Sequence, residues 1–139
     1  MQHNEDIGTR EDLSLYRIES AKKSLNSAKV LLDAGDCKGA NNRAYYALFY
    51  AIQAIHALDG KSYKRHKDTI SNFNKDYVRT EIFPREIGRK IAGVQEIRHA
   101  SDYDDFYIAT ESEAREQIET VEEVVTLIEK YCLDRIAKE

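Results

Sequence analysis

Between Ala44 and Leu58 only Gln53 and His56 interrupt a run of aliphatic and aromatic side chains. No other segment limits the possible folds of this chain as strongly. A helix that is apolar on every side needs neighbours on every side, so it must lie at the centre of a bundle or across a subunit interface. At 100° per residue its faces are chemically distinct. Ala40, Ala44, Ala47, Ala51 and Ala54 form a small-residue seam within roughly 80°, where another helix can approach closely. Arg43, Tyr46, Tyr50 and Gln53 make a second stripe with polar tips. Tyr45, Phe49, Ile52 and His56 make a third.

Around this helix the apolar residues recur at helical spacing. Residues 11–33 place Leu13, Tyr16, Ala21, Leu25, Ala28 and Leu32 on an inner face, and Gly35 stands where a glycine commonly closes a helix. The apolar helix itself is predicted over 36–58, before Gly60. A basic loop, Lys61-Ser62-Tyr63-Lys64-Arg65-His66-Lys67, leads into a short third helix reaching about residue 78, with Ile70, Phe73 and Tyr77 inward. Pro84, after the apolar pair Ile82-Phe83, suits the first turn of a fourth helix over 84–100. Thr110 and Glu113 have the spacing of a capping box. They open a fifth helix to about residue 135, with Ile118, Val121, Val125, Ile128 and Cys132 facing in. The expected fold is all-α, an up-and-down bundle of four long helices plus one short helix. One domain is expected over 11–139, behind a disordered segment at 1–10.

Composition narrows the classes of function. Six glycines, a single proline and 42% hydrophobic residues fit a helical protein with a packed core. No stretch reaches 18 apolar residues and the first residues are polar, so a soluble, cytoplasmic protein without membrane association is expected. Cys37 and Cys132 form no C-x-x-C pair and read as two reduced thiols. No metal site and no cofactor are expected, because the cluster of His99, Asp102, Asp104 and Asp105 lacks the glycine and distal glutamate of a calcium loop. The net charge of −4 argues against a general polyanion binder. Residues 61–98, however, hold ten Lys or Arg against five Asp or Glu. That basic middle is where a nucleic acid backbone would bind, if one binds at all.

The sharpest candidate site is Arg98. On a helix over 84–100, Ile87, Ile91, Val94 and Arg98 fall within about 60° of one another, so the guanidinium is carried toward the core or a partner chain. It cannot discharge there and needs an acceptor; Asp102 follows one helical turn later. The pair reads as a buried ion pair, as a phosphate-binding fork, or as both, with Asp102 holding Arg98 until a phosphate displaces it. Tyr103, Arg43, Tyr46 and Tyr50 are candidate walls of the same groove, with tyrosine faces on which bases stack. His66 and His99 are the candidate acids or bases, His66 being the only histidine in the basic loop.

The segment Asn42-Arg43-Ala44-Tyr45-Tyr46-Ala47-Leu48-Phe49-Tyr50-Ala51, then His66 opening a short helix, then Arg98 followed by Ser101-Asp102-Tyr103, resembles the HEPN family over residues 16–132. That resemblance implies a helical bundle that dimerises, bringing two copies of the arginine-bearing helix to a shared groove. It implies either a metal-independent ribonuclease or a non-catalytic module binding RNA, a nucleotide or a partner protein. Some members pair with a small nucleotidyltransferase as toxin and antitoxin. The family's nucleases carry a histidine four to six residues after the arginine. Here positions 103, 104 and 105 are Tyr103, Asp104 and Asp105. A phenol near pKa ~10 is a poor base and a carboxyl near ~4 a poor acid at neutral pH. A non-catalytic homodimeric module is therefore expected. A divergent ribonuclease, or the HEPN half of a nucleotidyltransferase pair, is the alternative.

Overall fold

The computed structural model describes the backbone from residue 2 to 138 and the side chains from residue 9 to 138. Five helices follow one another: α1 (Gln2–Asp33), α2 (Cys37–Leu58), α3 (His66–Phe73), α4 (Arg85–Tyr103) and α5 (Glu111–Lys138). A π-helical turn, Asn74–Val78, extends α3. The chain is all-α, and no strand occurs among the described residues. The backbone is helical from Gln2, ahead of the expected start at residue 11. The expectation of disorder over 1–10 falls mostly on residues 1–8, whose side chains lie outside those described.

α2 occupies the centre, as its composition demands, and touches α1, α3, α4 and α5. Its alanine seam is fully buried at Ala40, Ala44, Ala47, Ala51 and Ala54. Small residues there let neighbouring backbones come close, which compensates in packing for the area that larger side chains would bury. Gly35 adopts φ +86 and Gly60 φ +69, both in the left-handed region that ends a helix without a Cβ clash. Beyond Gly35, Gly35 N donates to Leu32 O and Asp36 N to Leu31 O. Asp36 then caps α2 by accepting from Gly39 N at 2.8 Å.

Two expectations need correction. The buried face of α1 begins with Ser14 and Ile18, not with Leu13 and Tyr16, which are 42% and 65% exposed. Ser14, Ile18, Ala21, Leu25, Ala28 and Leu32 follow a strict four-three alternation, and a small hydroxyl fits where α1 meets Cys132 of α5. The third helix is also not uniform. It widens to π geometry at Asn74–Val78, closed by Arg79 N donating to Asn74 O at 2.8 Å. Below it Phe73, Tyr77, Phe83 and Tyr131 pack as an aromatic cluster. The Tyr77 hydroxyl donates to Asp59, and Arg135 binds the same carboxylate, which ties α2, the π turn and α5 together. Burial alone would raise the Asp59 pKa; the hydrogen bonds from Tyr77 and Arg135 outweigh it and hold the carboxyl below its ordinary range.

At the start of α5, Glu113 N donates to Thr110 Oγ1 at 3.1 Å, one arm of the expected capping box. The reciprocal arm is not made, since Glu113 Oε1 is buried without a partner.

Candidate functional site

The groove forms where the start of α3 and the end of α4 meet the outer side of α2. Two adjacent asparagines near the start of α2 hold the end of α4 in place. Asn41 Nδ2 donates to Ser101 Oγ at 3.1 Å in a buried contact, and Asn42 Nδ2 donates to Asp102 Oδ2 at 3.1 Å. Asparagine is a poor helix former, so two of them inside a largely apolar helix answer to a tertiary need. Sequence reasoning passed over Asn41 and met Asn42 only as the first residue of the resemblance segment; that mismatch was the available signal.

Arg98 lies where its helical phase puts it, half-buried, with its side chain 20% exposed. Its Nε stands 3.0 Å from Asp102 Oδ2. The N–H is out of line with that oxygen, so the contact is an ion pair without a hydrogen bond. Three tyrosines surround the cation. Cζ is 4.8 Å from the ring centre of Tyr45, 5.9 Å from Tyr46 and 5.5 Å from Tyr103. Each ring face attracts a guanidinium, by roughly 0.5–1 kcal/mol or more where solvent is excluded. Among the described residues no hydrogen bond engages the two terminal nitrogens. The fork is thus held through its stem and faces, with its donors left over.

Arg98 lines an open groove of about 790 Å³ together with Tyr45, His66, Lys67, Gln95, Glu96, His99, Tyr103 and Asp104. His66, carried in by α3, lies tilted against Phe49 with ring centres 4.0 Å apart, and its Nδ1 is 3.1 Å from Tyr45 Oη. Either group donates, according to the imidazole tautomer. Burial and then the Arg98 charge lower the His66 pKa, so its ring is neutral at pH 7. Burial raises the Tyr45 pKa against the opposing pull of Arg98, so the phenol keeps its proton. His99 stands beside Tyr103 with ring centres 4.9 Å apart.

The candidates do not all converge. Arg98, Asp102, Tyr103, Tyr46 and His66 come together, and His99 shares the groove wall. Arg43 lies over the Tyr46 ring at 4.8 Å and donates to Asn42 Oδ1 at 3.3 Å, but it does not line the groove. Tyr50 touches Tyr46 and stays outside as well. Asp102 is committed to Arg98 and Asn42, and Asp104 Oδ1 accepts from Phe106 N. Among the described residues no three His, Cys, Asp or Glu side chains converge in a way that would hold a metal ion. Among the described residues no helix is long and apolar enough to cross a membrane.

Comparison with known proteins places this geometry in a wider setting. The sequence profile of the HEPN domain matches residues 14–131. A UPF0332 protein of Thermotoga maritima is 30% identical over 128 residues, spanning 92% of this chain and 97% of that protein. A protein of Methanocaldococcus jannaschii, provisionally named a toxin, is 32% identical over 118 residues, 85% of this chain and 82% of its own length. The crystal structure of TT1696 from Thermus thermophilus superposes with a TM-score of 0.71 at 19% identity, covering 84% of this chain and 96% of that one. At that identity the superposition speaks for the fold alone.

Proposed function

The chain belongs to the HEPN domain family, and on that premise we propose that it is a homodimeric module that binds RNA or a nucleotide through phosphate at the Arg98 groove, without cleaving it. One observation carries this reading. A guanidinium braced by Tyr45, Tyr46, Tyr103 and Asp102 keeps its terminal nitrogens unengaged at an open groove. A planar fork of that kind matches two phosphate oxygens. Tyr103, 63% exposed, offers a ring on which a base stacks. Phe106 and Ile108, 93% and 80% exposed just beyond the groove, support a second copy packing close by. The toxin name of the Methanocaldococcus relative supports a cytoplasmic pairing in which a partner protein, such as a nucleotidyltransferase, covers the groove.

His66 favours a second reading, a metal-independent ribonuclease. It brings a neutral imidazole to the wall of the groove that holds Arg98, replacing in space the histidine missing at 103 to 105. As a base it would take the proton of a ribose 2′-hydroxyl while Arg98 steadies the phosphate.

Fluorescence anisotropy with a labelled single-stranded RNA tests the binding reading. Arg98→Ala should weaken affinity by about ten- to a hundredfold, the range for losing charge-assisted hydrogen bonds. Arg43→Ala should cost only a few-fold, because Arg43 stands outside the groove. Wild-type affinity in Arg98→Ala would refute the site. Incubating structured RNA with the protein in the presence of a chelator decides between the readings: cleavage that disappears in His66→Ala selects the ribonuclease.

A further inference from the structure

The Arg98 groove, whose walls carry Lys67 and Arg98 beside Glu96 and Asp104, is one of two arginine-bearing recesses along α4. Nearer the start of that helix, Arg79, Arg85 and Arg89 line a second open recess of about 510 Å³. Its remaining walls are Asn74, Val78, Gly88 and Ala92, so no carboxylate lines it. Three nearby acids are paired with lysines: Glu86 and Glu123 hold Lys90, and Asp76 holds Lys61. None of the three arginines forms an ion pair among the described residues. Three cations on one concave surface raise the local positive potential, and a polyanion is the ligand that lowers it.

The local sequence builds this recess. The π turn brings Val78 and Arg79 against α4, and a Cβ at Gly88 would stand 3.3 Å from Val78 Cγ1. Glycine there permits the close approach and leaves the floor bare. Ala92 lines both recesses, so they adjoin on one face of α4. At 1.5 Å per residue, Arg85 and Arg98 are separated by about 20 Å along the helix, a distance spanned by several nucleotides and too long for one. Between them on that face stands Glu96, which lines the Arg98 groove.

We propose that the recess of Arg79, Arg85 and Arg89 is a second phosphate site, continuous with the first. The ligand is then a single-stranded RNA running along α4, not a free mononucleotide. This inference rests on the reading of the Arg98 groove as an RNA site. Within it, Glu96 repels the passing backbone and limits affinity.

The test uses a labelled oligouridylate as the strand and uridine monophosphate as the short probe. In the triple variant Arg79→Ala, Arg85→Ala, Arg89→Ala, oligonucleotide affinity should fall at least about tenfold at fixed salt. The slope of log K against log salt should shrink by about 2, at ~0.7 per lost phosphate contact on a single strand. Uridine monophosphate should bind the triple variant as it binds the wild type. Glu96→Gln should tighten the oligonucleotide by about two- to fivefold. If the triple variant binds the strand normally while Arg98→Ala does not, the second site is refuted and the groove stands. If Arg98→Ala leaves strand binding intact, the groove reading falls and the continuous path falls with it.

Discussion

Replacing Asp102 by asparagine removes one charge and almost no volume. It should move stability and ligand affinity in opposite directions. Asp102 Oδ2 lies 3.0 Å from Arg98 Nε and accepts from Asn42 Nδ2 at 3.1 Å. An asparagine still offers Asn42 an oxygen but gives the guanidinium no counter-charge. The two side chains of the pair are 20% and 25% exposed. That places the pair between solvated ones worth about 0–1 kcal/mol and buried ones whose one-sided removal costs about 3–5 kcal/mol. The tyrosine rings at 4.8, 5.5 and 5.9 Å continue to stabilise the cation. A loss of about 1–2 kcal/mol follows, which for a chain of this size lowers Tm by roughly 3–8 °C.

Affinity should rise in the same variant. Arg98 is no longer shared with a resident carboxylate, and a like charge beside the incoming phosphate is gone. A gain of about 1 kcal/mol corresponds to roughly fivefold tighter binding. Arg98→Met should lose RNA affinity and at least a comparable amount of stability, because Asp102 keeps only its bond from Asn42 and the cation contacts with the three tyrosines are gone. Thermal circular dichroism and RNA anisotropy on the same preparations read both effects. If Asp102→Asn weakens RNA binding as Arg98→Met does, Asp102 is a ligand contact and not a competitor of the phosphate, and this reasoning fails.

The two remaining predictions concern histidines and pH. His56 is buried; burial lowers its pKa against the opposing bond from Nε2 to Thr69 O at 2.9 Å. The unfolded chain therefore takes up the proton first, near 6.5, so this contribution is complete above that pH and is lost as pH falls through the window below it. His56→Gln can still donate to Thr69 O and does not titrate; its Tm should fall less between about pH 7 and pH 5 than that of the wild type, and equal slopes would contradict the assignment. At His66, a bound phosphate offsets the Arg98 charge that helps to lower its pKa, so binding draws a proton onto the ring. RNA affinity should rise from about pH 8 to about pH 6, and His66→Ala should flatten that profile. A profile unchanged by the substitution would separate His66 from the ligand.

How far the fold was legible depended on which force placed each residue. The centrality of α2 followed from composition alone, since a helix without a polar face has one kind of place to go. The face of α1 was misjudged at its start because a leucine and a tyrosine outrank a serine on any hydrophobic scale. Ser14 is nonetheless the buried residue, fully enclosed near Cys132, because shape decides where two helices come closest. The π turn was illegible for a related reason. Its register answers to the seat of Tyr77 between Phe73, Phe83 and Tyr131, which no local pattern encodes.

At the candidate site, the inward phase of Arg98 and the reach of Asp102 one turn later are local and were readable. The seat of His66 was not, because it depends on a loop returning α3 across Tyr45 and Phe49. The motif therefore lacks its histidine in sequence while the groove holds one in space, and its chemistry turns on one proton. If His66 donated from Nδ1 to Tyr45, its Nε2 would be left as a free base. The Tyr45 phenol keeps its proton and can equally donate to that nitrogen. In that arrangement the remaining imidazole proton sits on Nε2, and His66 is a hydrogen-bond donor to an anion. A groove in that state, with donors from Arg98 and from His66 and no base between them, holds a phosphate more readily than it breaks its ester. Tyr45→Phe removes the bond that selects the tautomer. If RNA cleavage appears in that variant and depends on His66, the tyrosine is what restrains the chemistry; if RNA affinity falls without cleavage, His66 serves only to bind.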